Sequence, residues 1–126
     1  MNLRTPLAKV RGLGSAKHGT QHFWYQRLTA VVLVPLTFWI MTSILMMTSM
    51  DYETVSTWMT SPINALLMLI FIGALFFHAQ LGVQVVIEDY IDVEWQKISC
   101  IILIKFLAVL AGLGSVLAVI KVFLGL

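Results

Sequence analysis

The sequence has little charge and almost no cysteine. Of 126 residues, six are Asp or Glu, eight are Lys or Arg, and one, Cys100, is a cysteine. A lone cysteine excludes an internal disulfide and any multi-cysteine metal motif, which leaves packing as the role of Cys100. Charge is missing in blocks. Residues 28–50 and 54–87 hold no Asp, Glu, Lys or Arg, and residues 98–126 hold only Lys105 and Lys121. With 60% hydrophobic residues and a mean hydropathy of +0.93, the composition excludes an ordinary water-soluble domain and leaves a small integral membrane protein. Internal repeats, low-complexity tracts and linkers are also lacking, so residues 1–126 read as one unit. No apolar core ending in a small-residue cleavage site precedes residue 27, and the N-terminus does not read as a cleavable signal. The net charge of +2 comes from a single cluster, which gives no indication of nucleic acid as a partner.

Three apolar stretches are present instead, each longer than the roughly 20 residues that cross a hydrocarbon core. They predict an all-α membrane protein: a basic segment 1–25, then transmembrane helices over about 26–48, 62–90 and 97–123. Pro35 withholds an amide from the carbonyl near Val31 and predicts a kink in the first helix. Ser61 and Pro62 suit the cap and the first position of the second helix. In the third, Ala111-Gly112-Leu113-Gly114-Ser115 offers small residues for close helix contact. Arg4, Lys9, Arg11, Lys17 and Arg27 are five of the eight basic residues, and by the positive-inside rule they place the N-terminus in the cytoplasm. Asp51 and Glu53 then face outside, and the loop from Glu88 to Lys97 faces inside. Lys105 and Lys121 reach opposite interfaces by snorkelling.

His78 is the one histidine inside a span, and an ionisable group there needs a partner. A neutral imidazole finds one by bonding a neighbouring helix or by ligating a metal. Ala74 and Gly82, one turn before and one turn after, form a stripe of small residues that gives a flat ligand room to approach. With no second histidine in any span, a bis-histidine haem needs its other ligand from another chain. His18 and His22 are four residues apart but have no third ligand nearby, so they read as interfacial residues. Phe23-Trp24-Tyr25 reads as an aromatic belt at the inner interface. Arg27 suits a bidentate partner, either a lipid phosphate or a cofactor carboxylate. Glu88, Asp89 and Tyr90 close the second helix, where acids oppose the macrodipole and call for a basic partner. The Tyr90 phenol either anchors the helix or donates to a carbonyl of a lipid-soluble substrate.

These residues together resemble a known family. His78, Gly82 and Asp89-Tyr90, with Gln26-Arg27-Leu28-Thr29-Ala30 opening the first span and Gly12, Gly14 and Gly19 in a basic N-terminus, are similar to the small hydrophobic membrane-anchor (D) subunits of succinate dehydrogenase, respiratory Complex II. The resemblance runs over nearly the whole chain. The Ser-Pro-His-Leu and His-Arg-x-Thr-Gly segments of the larger, cytochrome b anchor subunit are absent, so the likeness is to the D role. It implies a haem-binding helical bundle shared with that second anchor, in which His78 is an axial ligand of the haem b iron and the partner supplies the other. It further implies that Arg27 lies near the haem propionates or the quinone pocket, that Tyr90 hydrogen-bonds ubiquinone, and that Asp89 neighbours the quinone site. FAD and iron–sulfur clusters would belong to the flavoprotein and iron–sulfur partner subunits. The implied setting is the bacterial inner membrane, with the mitochondrial inner membrane as the alternative. The chain is then a subunit of an enzyme complex, succinate:quinone oxidoreductase, in the respiratory chain and tricarboxylic acid cycle. A haem-free structural anchor, or an accessory subunit of another respiratory membrane complex, remains as the other reading of the same residues.

Overall fold

A computed structural model of the chain describes residues 5–12 and 19–126, and among these every regular element is helical. A short α1, Pro6–Val10, is followed by α2, Gly19–Met46; α3, Tyr52–Met59; α4, Pro62–Tyr90; and α5, Glu94–Phe123. The three long helices, α2, α4 and α5, have the length and apolarity to cross a membrane. At 28, 29 and 30 residues, each runs for about 42–45 Å, so their ends extend past a core of about 30 Å or the helices tilt within it.

Apolar residues surround α2 and α4 on all sides, the pattern of helices whose solvent is lipid or other helices. Accordingly only Leu36, Met59, Ala65, Ile72, Leu81 and Val119 are buried within the chain, while large hydrophobic side chains such as Val31, Leu45, Phe106 and Leu117 stand exposed along the spans. Such a surface is stable only against lipid or other protein.

α4 is the middle helix, packing against both α2 and α5. The main apolar cluster joins Met59 of α3, Ala65 and Ile72 of α4, and Val119 of α5, with Trp58, Met68, Phe76 and Val116 packed around it. Gly112 allows α5 to approach α4 here. A Cβ at this position would make an ordinary contact with the Phe76 ring at 3.6 Å, while one at Gly114 in the same small-residue run would meet nothing within 4 Å. α2 and α5 make no close backbone approach to each other.

Several boundaries differ from the sequence expectation. α2 starts at Gly19, ahead of 26, so the aromatic belt Phe23-Trp24-Tyr25 is itself helical. α2 also continues through Pro35 as one element. α5 starts at Glu94, ahead of 97, with this acid in its first turn and Lys121 in its last, both favourable to the macrodipole. Ser61 does hold the N-cap position of α4, but its side chain makes no capping hydrogen bond. α3 was not anticipated. Asp51 caps it, accepting a hydrogen bond from the Thr54 amide at 2.8 Å. The helix is held to the bundle by Asn64, whose Nδ2 donates to the Trp58 carbonyl at 2.9 Å, and by Trp58 against Trp39, with ring centroids 5.4 Å apart.

Candidate functional site

The seam between α2 and α4 carries most of the polar chemistry that lies within the spans. His78 is half-buried near the middle of α4, and its Nδ1 lies 2.9 Å from Thr29 Oγ1 on α2. Thr29 is placed by its own helix, since Oγ1 is also 2.8 Å from the Tyr25 carbonyl and 3.1 Å from the Gln26 carbonyl. The ring of Tyr25 meets Phe77 edge-on at 6.0 Å, tightening the same seam.

Beside His78, α2 forms one wall of an open groove of about 330 Å3, lined by Ala30, Leu33, Val34, Thr37 and Phe38. The neighbouring helix thus adds a wall beside the stripe of Ala74 and Gly82 on α4. The residues facing the imidazole across the groove come from the neighbouring helix. The reason is that α2 packs along α4, which a wheel drawn on one helix does not represent. Gly82 keeps a related property: a Cβ there would meet nothing within 4 Å, so the turn after His78 is open. His78 Nε2 makes no hydrogen bond among the described residues, whereas Nδ1 does. An imidazole held through one nitrogen, with the other unbonded, on a residue that lines an apolar groove and precedes an open turn, fits a ligand to a planar metal-bearing macrocycle. The groove is walled by this chain on one side only, so such a group would need a second wall from another chain.

The other expected site residues lie apart. Arg27, exposed on α2, stacks its guanidinium over the Phe23 ring at 5.2 Å from the centroid, and no carboxylate of the described residues pairs with it. Asp89 and Tyr90 are exposed at the last turn of α4, Tyr90 at 83%. Tyr90 is twelve positions beyond His78, about 18 Å along the helix. Glu88 accepts a hydrogen bond from Gln84 Nε2 at 2.8 Å, and the last turn of α4 contains no basic residue to offset its acids. His22 places Nε2 inside the chain without a hydrogen-bond partner among the described residues, and His18 lies outside the described residues. No group of three or more His, Cys, Asp or Glu side chains that could hold a metal ion occurs among the described residues. A second groove, of about 500 Å3 between α4 and α5, contains Gln80, Lys105 and Gly112.

Residues 1–112 match the family described as the succinate dehydrogenase/fumarate reductase transmembrane subunit. The chain belongs to that family. It is 34% identical over 118 residues to the succinate dehydrogenase hydrophobic membrane anchor subunit of Rickettsia bellii, covering 94% of each chain. It is 31% identical over 106 residues to the anchor subunit so named in Paracoccus denitrificans, covering 84% of this chain and 82% of that one. The succinate dehydrogenase membrane anchor subunit of Reclinomonas americana is 30% identical over 96 residues, covering 74% and 80%. Family and relatives support the role of a succinate dehydrogenase membrane anchor, working with further subunits of a complex. The three apolar helices agree with that role.

The sequence reading assigned no part to Thr29 beyond its place in the Arg-x-Thr-Ala start. Its contact with His78 joins residues 49 positions apart, and periodicity along one helix holds no signal for such a pair.

Proposed function

We propose that this chain binds haem b and ubiquinone jointly with the cytochrome b anchor subunit, so that electrons from succinate oxidation reduce quinone at the inner membrane. The observation that carries the haem half is His78, which lines the groove with Nδ1 engaged and Nε2 without a hydrogen bond among the described residues. Magnitudes favour more than a helix tie. Interhelical hydrogen bonds in membranes average about 0.6 kcal/mol and reach about 1.7, while a buried polar atom left without a partner costs about 1–3 kcal/mol. His78 Nε2 is not closed off by its own chain, so within a span it meets lipid or a partner, and an imidazole serving only to bond Thr29 would return little against leaving that nitrogen unpaired in an apolar medium. His78 Nε2 would hold the iron from this side, and a histidine of the partner anchor would hold it from the other. Arg27, with no carboxylate of its own chain, is available to a haem propionate or to the quinone pocket. Haem b, when bound, supplies one-electron storage and joins the two anchors.

The quinone half rests on Tyr90. Its phenol stands at the end of α4, where a headgroup entering from the membrane can accept a hydrogen bond, and Asp89 beside it can hold a basic neighbour or relay a proton. With the N-terminus in the cytoplasm, this end faces the side on which the flavoprotein and iron–sulfur subunits would dock. The complex isolated in mild detergent with His78→Ala is expected to lose its low-spin b-type reduced-minus-oxidised spectrum. An unaltered spectrum would remove His78 as a ligand, and wild-type complex without haem absorbance would favour the haem-free anchor, for which the Thr29 bond is the supporting observation.

A further inference from the structure

We infer that Thr29 is a positioning residue for His78: it fixes the imidazole tautomer and plane and so tunes the group that Nε2 ligates. The inference rests on the haem reading above. Thr29 has one hydroxyl proton, and two carbonyls that can only accept, those of Tyr25 and Gln26, lie at 2.8 and 3.1 Å. Committing the proton to its own helix leaves an oxygen lone pair facing His78 Nδ1 at 2.9 Å. The pairing that satisfies every group has Nδ1–H donating to Thr29 Oγ1. The neutral ring then has its lone pair on Nε2, the atom without a hydrogen bond among the described residues. The opposite arrangement, in which Thr29 donates to Nδ1, would place a proton on Nε2 and block ligation there.

Two effects follow. An acceptor on Nδ1–H raises the basicity of Nε2 and strengthens its bond to iron, most of all to the ferric form. Thr29 is also held within α2 and the ring on α4, so the hydrogen bond sets the ring plane across the helix seam. Thr29 touches neither the bound group nor the reacting atoms, and it acts through His78.

Thr29→Val keeps the shape and removes the hydroxyl, and Thr29→Ser keeps the hydroxyl and removes the methyl. In the assembled complex, Thr29→Val is expected to weaken haem retention about 10–100-fold, the usual cost of losing a metal ligand's outer partner, read as transfer of haem to apomyoglobin. It should also raise the haem midpoint potential and shift the low-spin ferric EPR signal, which reports ring orientation, while Thr29→Ser keeps all three near wild type. Unchanged retention, potential and EPR signal in Thr29→Val would overturn the assignment, as would equal changes in Val and Ser, which would mark a packing effect. If Thr29→Val yields no complex, Thr29→Ala removes the same hydroxyl and is read by the same criteria. A wild-type spectrum in His78→Ala would defeat the haem reading itself, independently of Thr29.

Discussion

Two glycines on facing helices allow steric effects on the fold to be separated from steric effects on the site. At Gly112 an added Cβ would sit 3.6–3.8 Å from three atoms of the Phe76 side chain, an ordinary van der Waals contact at the edge of the α4–α5 groove. At Gly82 an added Cβ would meet nothing within 4 Å. The same replacement therefore has opposite consequences. Gly→Leu at 112 adds three carbons beyond that Cβ where α5 meets Phe76, and carbons that press on the ring instead of turning into the groove overpack the contact, at about 1–3 kcal/mol of bundle stability. Gly→Leu at 82 starts from a Cβ with nothing within 4 Å and exchanges glycine for a better helix former, a change of up to about 1 kcal/mol in favour of the helix. If haem fills the space one turn from His78, the cost appears there instead. An overpacking of about 1–3 kcal/mol weakens its binding by about 5- to 150-fold. The assay pairs the midpoint of unfolding of the isolated chain in detergent with haem per flavin in the purified complex. Gly112→Leu is expected to lower the first, and Gly82→Leu to spare the first and lower the second. Full haem content and an unchanged spectrum in Gly82→Leu would refute the reasoning, because nothing flat would then occupy the open turn.

Tyr90→Phe removes the phenol donor without changing shape, so quinone reductase activity and quinone-site inhibitor affinity should fall by about tenfold, the worth of one hydrogen bond of about 1.5 kcal/mol; unchanged values would remove Tyr90 from the site. Asp51 titrates below the usual carboxylate range, held there by hydrogen bonds from the Thr54 hydroxyl first, then from the Thr54 amide and Ser49. Its folded value is lowered, so its support of α3 is complete above the unfolded value of about 3.9 and is lost as pH falls through the folded value. Proton chemical shifts of α3 should move toward coil over that acid window in wild type and show no such step in Asp51→Ala.

The spans were legible because their signal is redundant. Any of several windows within residues 28–50 or 54–87 would report an uncharged apolar segment, and the loss of one residue would not alter the result. The short α3 was not legible. Its sequence, Tyr52-Glu53-Thr54-Val55-Ser56-Thr57-Trp58-Met59, mixes residues of ordinary helix propensity with four consecutive β-branched or hydroxylated residues, and it is helical because Asp51 caps it and Met59 enters the α4–α5 core. At the site, His78 could be singled out because an imidazole is rare in such surroundings, and Tyr90 because its end of the helix carries uncompensated acids. The groove wall and Thr29 were beyond reach for one reason: both depend on how far α2 slides along α4, and two helices that are apolar all round do not encode that register in their periodicity.

The packing also explains why a chain this small can hold a polar site within a membrane. Its apolar cluster lies among α3, α4 and α5, where Met59, Ala65, Ile72 and Val119 are buried. α2 has one buried residue, Leu36, in 28. Stability and chemistry therefore lean to different flanks of α4: one flank holds the main apolar cluster, and the other packs along α2 with a hydrogen bond at Thr29 and His78, an aromatic edge at Tyr25 and Phe77, and Trp39 of α2 against Trp58 of α3. Because the flank with the imidazole contributes little to the core, it can remain open enough for a partner chain to complete it. α4 in turn acts as a ruler. Its core-facing positions fix its depth against α5, and that depth fixes His78 in mid-span and Tyr90 at the helix end, about 18 Å apart. On the proposed reading, a partner that closes the α2 flank would need to supply only a wall and a ligand, because α4 already sets the spacing of His78 and Tyr90.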